Sequence, residues 1–118
     1  MRNKEEERLQ VSCVSWFDYQ YPQFRQLLFA VPNGGSRNKI EAANLKKQGV
    51  RAGVSDMILL YPGNHCEFIC FEFKSAKGKQ SESQIEFDKI INKNTNGAYI
   101  IVRSFEEFKN YIEYYLQK

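Results

Sequence analysis

The sequence predicts a three-layer α/β fold with a mixed central sheet of about four strands and helices on both faces. Helical and strand-like segments alternate in the order helix, strand, helix, strand, strand, helix, strand, helix. The strand-like segments are apolar at consecutive positions, so both faces of the sheet have to be covered by helices. A chain of 118 residues is long enough for its own core, and we expect a single domain over residues 1–118.

The first half of the chain is predicted to contain two helices and one strand. Residues 4–20 have apolar side chains at helical spacing, and residues 26–31 form a short apolar segment that stops before Pro32. Residues 32–37 contain paired glycines and are predicted to be a loop. A basic helix follows to about residue 48, where Gly49 is well placed to end it.

The second half begins with a predicted β-hairpin, whose strands cover residues 54–61 and 66–74 around a tight turn. A helix over 81–94, a buried strand over 98–103 and a last helix after residue 104 complete the fold. Both helices begin with a capping box, in which the side chains of the N-cap residue and of the third helical residue bond each other's backbone amides. The two pairs are Ser81 with Gln84 and Ser104 with Glu107.

The composition is that of an ordinary soluble globular protein, with 42% hydrophobic and 26% charged residues. We expect no membrane partner, because no apolar run approaches the roughly 20 residues of a membrane span. The N-terminal residues do not form a signal peptide, and three cysteines with one histidine do not have the spacing of a zinc site. These features predict a reducing, cytoplasmic location, and we expect all three cysteines to be small, buried hydrophobic side chains.

The charged residues of the predicted hairpin have no structural purpose in a buried strand. Glu72 and Lys74 project from one face of their strand, whereas Phe71 and Phe73 project from the other. Antiparallel pairing brings Asp56, near the start of the first strand, to the end of the second. A carboxylate pair beside an ammonium can hold a divalent cation against a phosphodiester. The alternative is a surface ion pair on an edge strand, which contributes roughly 0–1 kcal/mol, but the apolar neighbours favour a central strand.

Basic residues are unevenly distributed, although the net charge is only +3. They either form a solvated surface or bind the phosphates of a polyanion, and their position on both sides of the predicted site favours the second interpretation. We therefore expect a phosphate-bearing polyanion as the partner; if it is DNA, the absence of aromatic residues interleaved for single-strand stacking favours the duplex or branched form. The basic residues concerned are Lys39, Lys46, Lys47, Arg51, Lys77 and Lys79.

Four blocks of the sequence resemble the virus-type replication-repair nuclease (VRR-NUC) domain of the PD-(D/E)xK nuclease superfamily, and they occur in the order found in that family. The blocks cover residues 32–37, 49–56, 72–74 and 83–84. The resemblance implies a restriction-endonuclease-like fold. Ser55 stands where the family commonly has proline, and we expect this difference to alter the local backbone rather than to abolish activity.

The resemblance also implies a set of catalytic and metal-binding residues. The catalytic residues would be Asp56, Glu72, Lys74 and Gln84. The capping box is an equally good explanation for a glutamine at position 84. Mg²⁺ or Mn²⁺ would suit an oxygen-rich site. Its ligands would be Glu6, Asp56, Glu72 and the backbone carbonyl of Phe73, with Glu7 as the alternative to Glu6.

The glycine-containing loop is expected to contact DNA, because glycines allow close approach to a phosphate and an arginine can clamp it. An ordinary turn before a helix is the alternative. The residues concerned are Asn33, Gly34, Gly35 and Arg37.

The expected function is that of a metal-dependent DNA endonuclease in replication, repair or recombination. The resemblance implies cleavage that leaves a 5′-phosphate and a 3′-hydroxyl. It also implies specificity for four-way junctions in a bacterial or phage-infected cell, and symmetric cutting would require a homodimer. The alternatives are a DNA-binding module without catalysis and a nuclease that is active only inside a larger repair or restriction assembly.

Overall fold

A four-stranded mixed sheet lies at the centre of the computed structural model, which describes residues 3–32, 38–61 and 63–116. The spatial order follows the chain order, with antiparallel pairing between the first three strands and parallel pairing between the last two. The strands are β1 (Leu28–Ala30), β2 (Met57–Leu59), β3 (Ile69–Phe73) and β4 (Ala98–Val102). The predicted antiparallel hairpin of β2 and β3 is confirmed, and β3 is a central strand.

The described residues form four α-helices, and each begins with a polar N-cap side chain that accepts a hydrogen bond from a backbone amide of the first turn. They are α1 (Lys4–Gln20), α2 (Lys39–Lys47), α3 (Glu82–Asn94) and α4 (Phe105–Tyr115), with a 3₁₀ helix over Pro22–Leu27. In the part of the chain that the structure describes, every helix is too short or too polar to cross a bilayer.

The two faces of the sheet pack against different helices. On one face, the rings of Phe71 and Phe73 contact the fully buried Phe108 of α4, and α1 covers the same face. On the other face, the ring of Tyr99 in β4 packs edge-on against Phe87 of α3, with their centroids 5.9 Å apart. Helices on both faces of a mixed sheet give the predicted three-layer α/β fold, which is therefore confirmed.

The observed elements differ from the predicted ones mainly at strand ends. The predicted strand over 26–31 shortens to β1, because a 3₁₀ helix with Pro22 in its first turn occupies the chain up to Leu27. The capping box at Ser81 is present, with both hydrogen bonds. The second predicted capping box is only half formed. Ser104 accepts from the Glu107 amide, but the Glu107 carboxylate accepts from the Arg103 amide at 2.6 Å.

The three cysteines are free thiols. Cys13 and Cys70 are buried in the core, where loss of hydration raises the pKa of Cys13 to about 12 and raises the pKa of Cys70 as well. These two side chains are protonated, apolar packing groups, as the sequence predicts. Cys66 is only partly buried, so the expectation of burial is wrong for that residue.

Candidate active site

Glu72 and Lys74 lie at the carboxyl end of β3, on the face of the sheet opposite Phe71 and Phe73. The Glu72 side chain is 0% exposed, and its Oε2 atom lies 3.5 Å from Nζ of Lys74, whose side chain is 12% exposed. Because β3 pairs on both sides, this is not the surface ion pair of an edge strand. A carboxylate withdrawn this far from water needs a compensating positive charge, and Lys74 supplies one.

Asp56 precedes β2 and lies against the end of β3. The register pairs Met57 with Phe71, so one further step places Asp56 opposite Glu72. The Asp56 Oδ2 atom accepts a hydrogen bond of 2.7 Å from the Phe73 amide. In an antiparallel pair, the N–H and C=O of one residue point to the same neighbour, so the Phe73 carbonyl also faces the Asp56 side. The structure thus brings together the two carboxylates and the carbonyl predicted from the sequence.

The two oxygens of Glu72 have different surroundings. Oε1 accepts hydrogen bonds from the Tyr99 hydroxyl and from Nε2 of Gln80, the latter at 3.4 Å. Oε2 is buried and, among the described residues, has no hydrogen-bond donor. A buried carboxylate oxygen without a hydrogen bond is costly, so this atom is suited to a cation.

The chemistry of these groups fits Mg²⁺ or Mn²⁺. Carboxylate and carbonyl oxygens are the preferred ligands of both ions, and Mg²⁺ is commonly held by one or two carboxylates while it keeps several waters. Within residues 3–32, 38–61 and 63–116, no three Asp, Glu, His or Cys residues are grouped so that they could hold a metal ion. The groups that would hold such an ion are Asp56, Glu72 and the Phe73 carbonyl, together with water.

Glu6 has a structural partner of its own. It is buried on the first turn of α1, whereas Glu7 is exposed, so Glu6 is the inward-facing residue of the two. Its Oε2 atom accepts a 3.0 Å hydrogen bond from the amide of Ser75, directly after Lys74. Glu6 thereby fixes the chain that leaves the site, and its role as a metal ligand stays a prediction.

Arg103 fixes the same segment and was not predicted from the sequence. Its Nη1 atom donates to the carbonyl oxygens of Ser75 and Gly78, both at 2.7 Å. The turn over 75–78 is therefore held by Glu6 through an amide and by Arg103 through carbonyls. No sequence signal identifies such a residue, because its partners are backbone atoms that any residue provides.

Gln80 and Gln84 have different hydrogen-bond partners. Gln84 uses its side-chain oxygen in the capping box, where it accepts from the Ser81 amide at 2.8 Å. Its predicted catalytic role stays a prediction. Gln80 is the glutamine that contacts Glu72, and it also donates to Asp88 Oδ2 at 3.4 Å.

Tyr99 is the other contact of Glu72 that the sequence did not reveal. Burial, together with the hydrogen bond to Glu72, raises the pKa of its phenol. The alternation of side chains in β4 indicates which face Tyr99 occupies. It does not indicate which residue of β3 the hydroxyl meets.

Ser55 is fully buried directly before Asp56. Its hydroxyl donates to the carbonyl of Met57 at 3.2 Å and lies beside the Cys70 thiol. A proline has no hydroxyl for these contacts. The serine therefore has its own packing role at the start of β2.

Gly53 lies three residues before Asp56 and packs closely against the backbone at the start of α3. Its φ is +80°, and a Cβ atom there would lie 2.2 Å from the backbone oxygen of Ser83. Gly49 has a φ of +105°, with nothing within 4 Å of the corresponding position. An alanine at position 49 would therefore strain only the backbone. An alanine at position 53 would also collide with the backbone of Ser83.

We expect Gly49→Ala to lower the free energy of unfolding by about 1–2 kcal/mol, the usual cost of a left-handed alanine. Gly53→Ala should cost clearly more, about 3 kcal/mol or above, because the Ser83 backbone must also move. Urea unfolding of both variants checks this prediction. Equal losses would show that the segment before Asp56 does not pack closely on α3.

The described basic residues predicted to contact DNA are all on the surface. Helix α2 has no buried side chain, and Arg51 donates to the Lys46 carbonyl at 3.3 Å. The exposed basic residues are Lys39, Lys46, Lys47, Arg51, Lys77 and Lys79. Four further predicted contacts lie outside the described residues, namely Asn33, Gly34, Gly35 and Arg37.

Comparison with known proteins relates this architecture to a solved structure named VRR_NUC domain protein. The two superpose with a TM-score of 0.80 at 18% sequence identity, over 99% of this chain and 92% of that one. No protein-family model matches the sequence, and no curated protein matches it. At this identity the likeness establishes the fold, so the chain has the fold of a VRR-NUC domain, as the sequence resemblance predicts.

Proposed function

We propose that this protein is a metal-dependent DNA endonuclease that hydrolyses phosphodiester bonds. The observation that best supports the proposal is the buried Glu72, whose Oε2 atom has Lys74 at 3.5 Å and, among the described residues, no hydrogen-bond donor. Asp56 lies opposite Glu72 on the neighbouring strand. Two carboxylates beside an ammonium, at the carboxyl end of a central strand, suit an oxygen-binding cation and a phosphate group.

Each residue of the site has a distinct part in this proposal. Asp56, Glu72 and the Phe73 carbonyl would hold Mg²⁺ or Mn²⁺, which when bound neutralises phosphate charge and lowers the pKa of water. Lys74 is fixed by Glu72 and by the strand, so its ammonium can donate hydrogen bonds to a phosphate oxygen as negative charge grows there. The turn over 75–78, tied by Glu6 and Arg103, keeps the end of β3 in place.

DNA binding is proposed to use the exposed basic side chains of α2 and of the chain that follows β3. These side chains would contact phosphates, so they provide affinity without reading sequence. Lys77 and Lys79 follow Lys74 closely in the chain and would place the phosphate backbone near the carboxylates. The preferred substrate we propose is a four-way junction in a bacterial or phage-infected cell, cut by a homodimer with one site in each subunit.

The proposal is tested by incubating the protein with a labelled four-way junction, a matched linear duplex and a single strand. Each substrate is combined with Mg²⁺, Mn²⁺ or EDTA. We expect paired symmetric cuts in the junction that require metal. Cutting of all three substrates would keep the nuclease and exclude junction specificity.

Binding without cutting would contradict the nuclease and favour either a DNA-binding module or an enzyme that needs a partner protein. Gel filtration with light scattering tests the homodimer separately. A monomer that still makes paired cuts would contradict the two-site arrangement.

A further inference from the structure

Tyr99 and Gln80 both donate hydrogen bonds to Oε1 of Glu72, whereas Oε2 has no donor among the described residues. We infer that Tyr99 is a positioning residue, whose hydroxyl binds Oε1 of Glu72 and thereby turns Oε2 toward the cation. The inference rests on the proposed function, because it takes Glu72 as a metal ligand. It adds a residue on β4 to a site otherwise built by β2 and β3.

The position of the Tyr99 ring is set independently of Glu72. In the parallel pair of β3 and β4, Tyr99 is the register partner of Cys70 and therefore lies on the same face as Glu72. The ring packs edge-on against Phe87 of α3, at a centroid distance of 5.9 Å. Because sheet and helix hold the ring, its hydroxyl is a fixed donor to which the Glu72 carboxylate adapts.

Gln80 supports the same orientation from the other direction. Its Nε2 atom lies 3.4 Å from both Glu72 Oε1 and Asp88 Oδ2. Asp88 in turn accepts a 2.6 Å hydrogen bond from Asn92, one turn further along α3. The donors on Oε1 are therefore anchored to β4 and to α3.

A carboxylate can rotate and exchange its two oxygens unless one of them is held. With Oε1 bound by Tyr99 and Gln80, Oε2 faces Lys74 without another donor among the described residues. Partners that orient a metal ligand typically change metal affinity by roughly 10–100-fold when they are lost. Tyr99→Phe removes only the hydroxyl and keeps the ring that packs on Phe87.

The test is isothermal titration of Mn²⁺ into the whole metal-free protein and its variants, without DNA. We expect Tyr99→Phe to weaken Mn²⁺ binding by roughly 10–100-fold. The matched control is Tyr111→Phe, a half-buried tyrosine on α4 at the other face of the sheet, which should bind as the parent does. Thermal unfolding in EDTA establishes that each variant is folded.

A second variant, Gln80→Leu, removes the other donor on Oε1 and should also weaken binding. If Tyr99→Phe does not fold, the Gln80 variant decides the matter by the same measurement. Parent-like affinity in the folded variants would overturn the inference and leave the proposed function standing. If the parent itself binds no Mn²⁺, both the inference and the proposed function are overturned.

Discussion

Lys74→Ala is expected to reduce the rate of DNA cleavage by roughly 10²–10³-fold, the usual effect of losing a group that stabilises developing charge. The Lys74 ammonium lies 3.5 Å from the buried Glu72 carboxylate, at the end of the strand that carries the proposed metal ligands. Its ammonium is held beside Glu72, whereas the side chains of the next lysines in the chain, Lys77 and Lys79, are exposed and would not replace it. Single-turnover cleavage of a labelled substrate in saturating Mg²⁺ measures the effect.

Lys74→Arg should not restore the rate. The side chain is only 12% exposed, and a planar guanidinium is larger than an ammonium and directs its donors differently. The control is Lys93→Ala, an exposed lysine in the last turn of α3, which should cleave as the parent does. Parent-like cleavage by Lys74→Ala would show that this ammonium takes no part in the chemistry.

Loss of Lys74 also leaves a buried carboxylate without its positive partner, and breaking such a pair costs on the order of 3 kcal/mol. The cleavage assay is therefore run well below the melting temperature of each variant. An inactive variant that is fully folded by circular dichroism separates lost chemistry from lost structure.

Phe108→Ala should produce the largest loss of stability, about 3–5 kcal/mol in the free energy of unfolding. Phe108 is 0% exposed, and its ring centroid lies 5.1 Å from that of Phe71 and 6.0 Å from that of Phe73. Truncation would open a cavity between α4 and the central strand. Urea unfolding followed by circular dichroism measures the loss.

The matched control is Tyr19→Ala, an aromatic residue on α1 that is 84% exposed. Its effect should stay within about 0.5 kcal/mol, as is usual for surface substitutions. A similarly small effect at Phe108 would contradict the packing of α4 on β3.

The central geometry of the site was predictable because it depends on local rules. Side-chain alternation in one strand places Glu72 and Lys74 on one face, and antiparallel pairing of the next strand back, β2, brings Asp56 beside them. Both rules operate within one strand or between two strands that are consecutive in the chain. Neither requires knowledge of how distant parts of the chain pack.

The contacts that support the site were not predictable, because they depend on how distant parts of the chain pack together. The hydroxyl of Tyr99 meets Glu72 only because β4 adds to the sheet in a particular parallel register, after a crossover through α3. Arg103 binds backbone carbonyls 25 and 28 positions earlier in the chain. Such pairs depend on tertiary register, which the pattern of one sequence does not specify.

The ends of the elements were also hard to predict, since the competing local structures are close in energy. The 3₁₀ helix over Pro22–Leu27 replaces the beginning of a predicted strand. At the start of α4, the Glu107 carboxylate bonds the amide of Arg103 instead of that of the N-cap Ser104. The first difference shifts a boundary and the second changes only a capping hydrogen bond, and neither changes the layer in which the element lies.

The most direct measurement is cleavage of labelled DNA in Mg²⁺ and in EDTA by the parent and by Asp56→Asn. Asparagine keeps an oxygen that can accept from the Phe73 amide, so the variant should fold while it loses one ligand charge. We predict cleavage by the parent in Mg²⁺, none in EDTA and none detectable by the folded variant. Equal cleavage by the parent and the variant would contradict the assignment of Asp56. A parent that leaves all DNA intact in both Mg²⁺ and Mn²⁺ would contradict the nuclease itself.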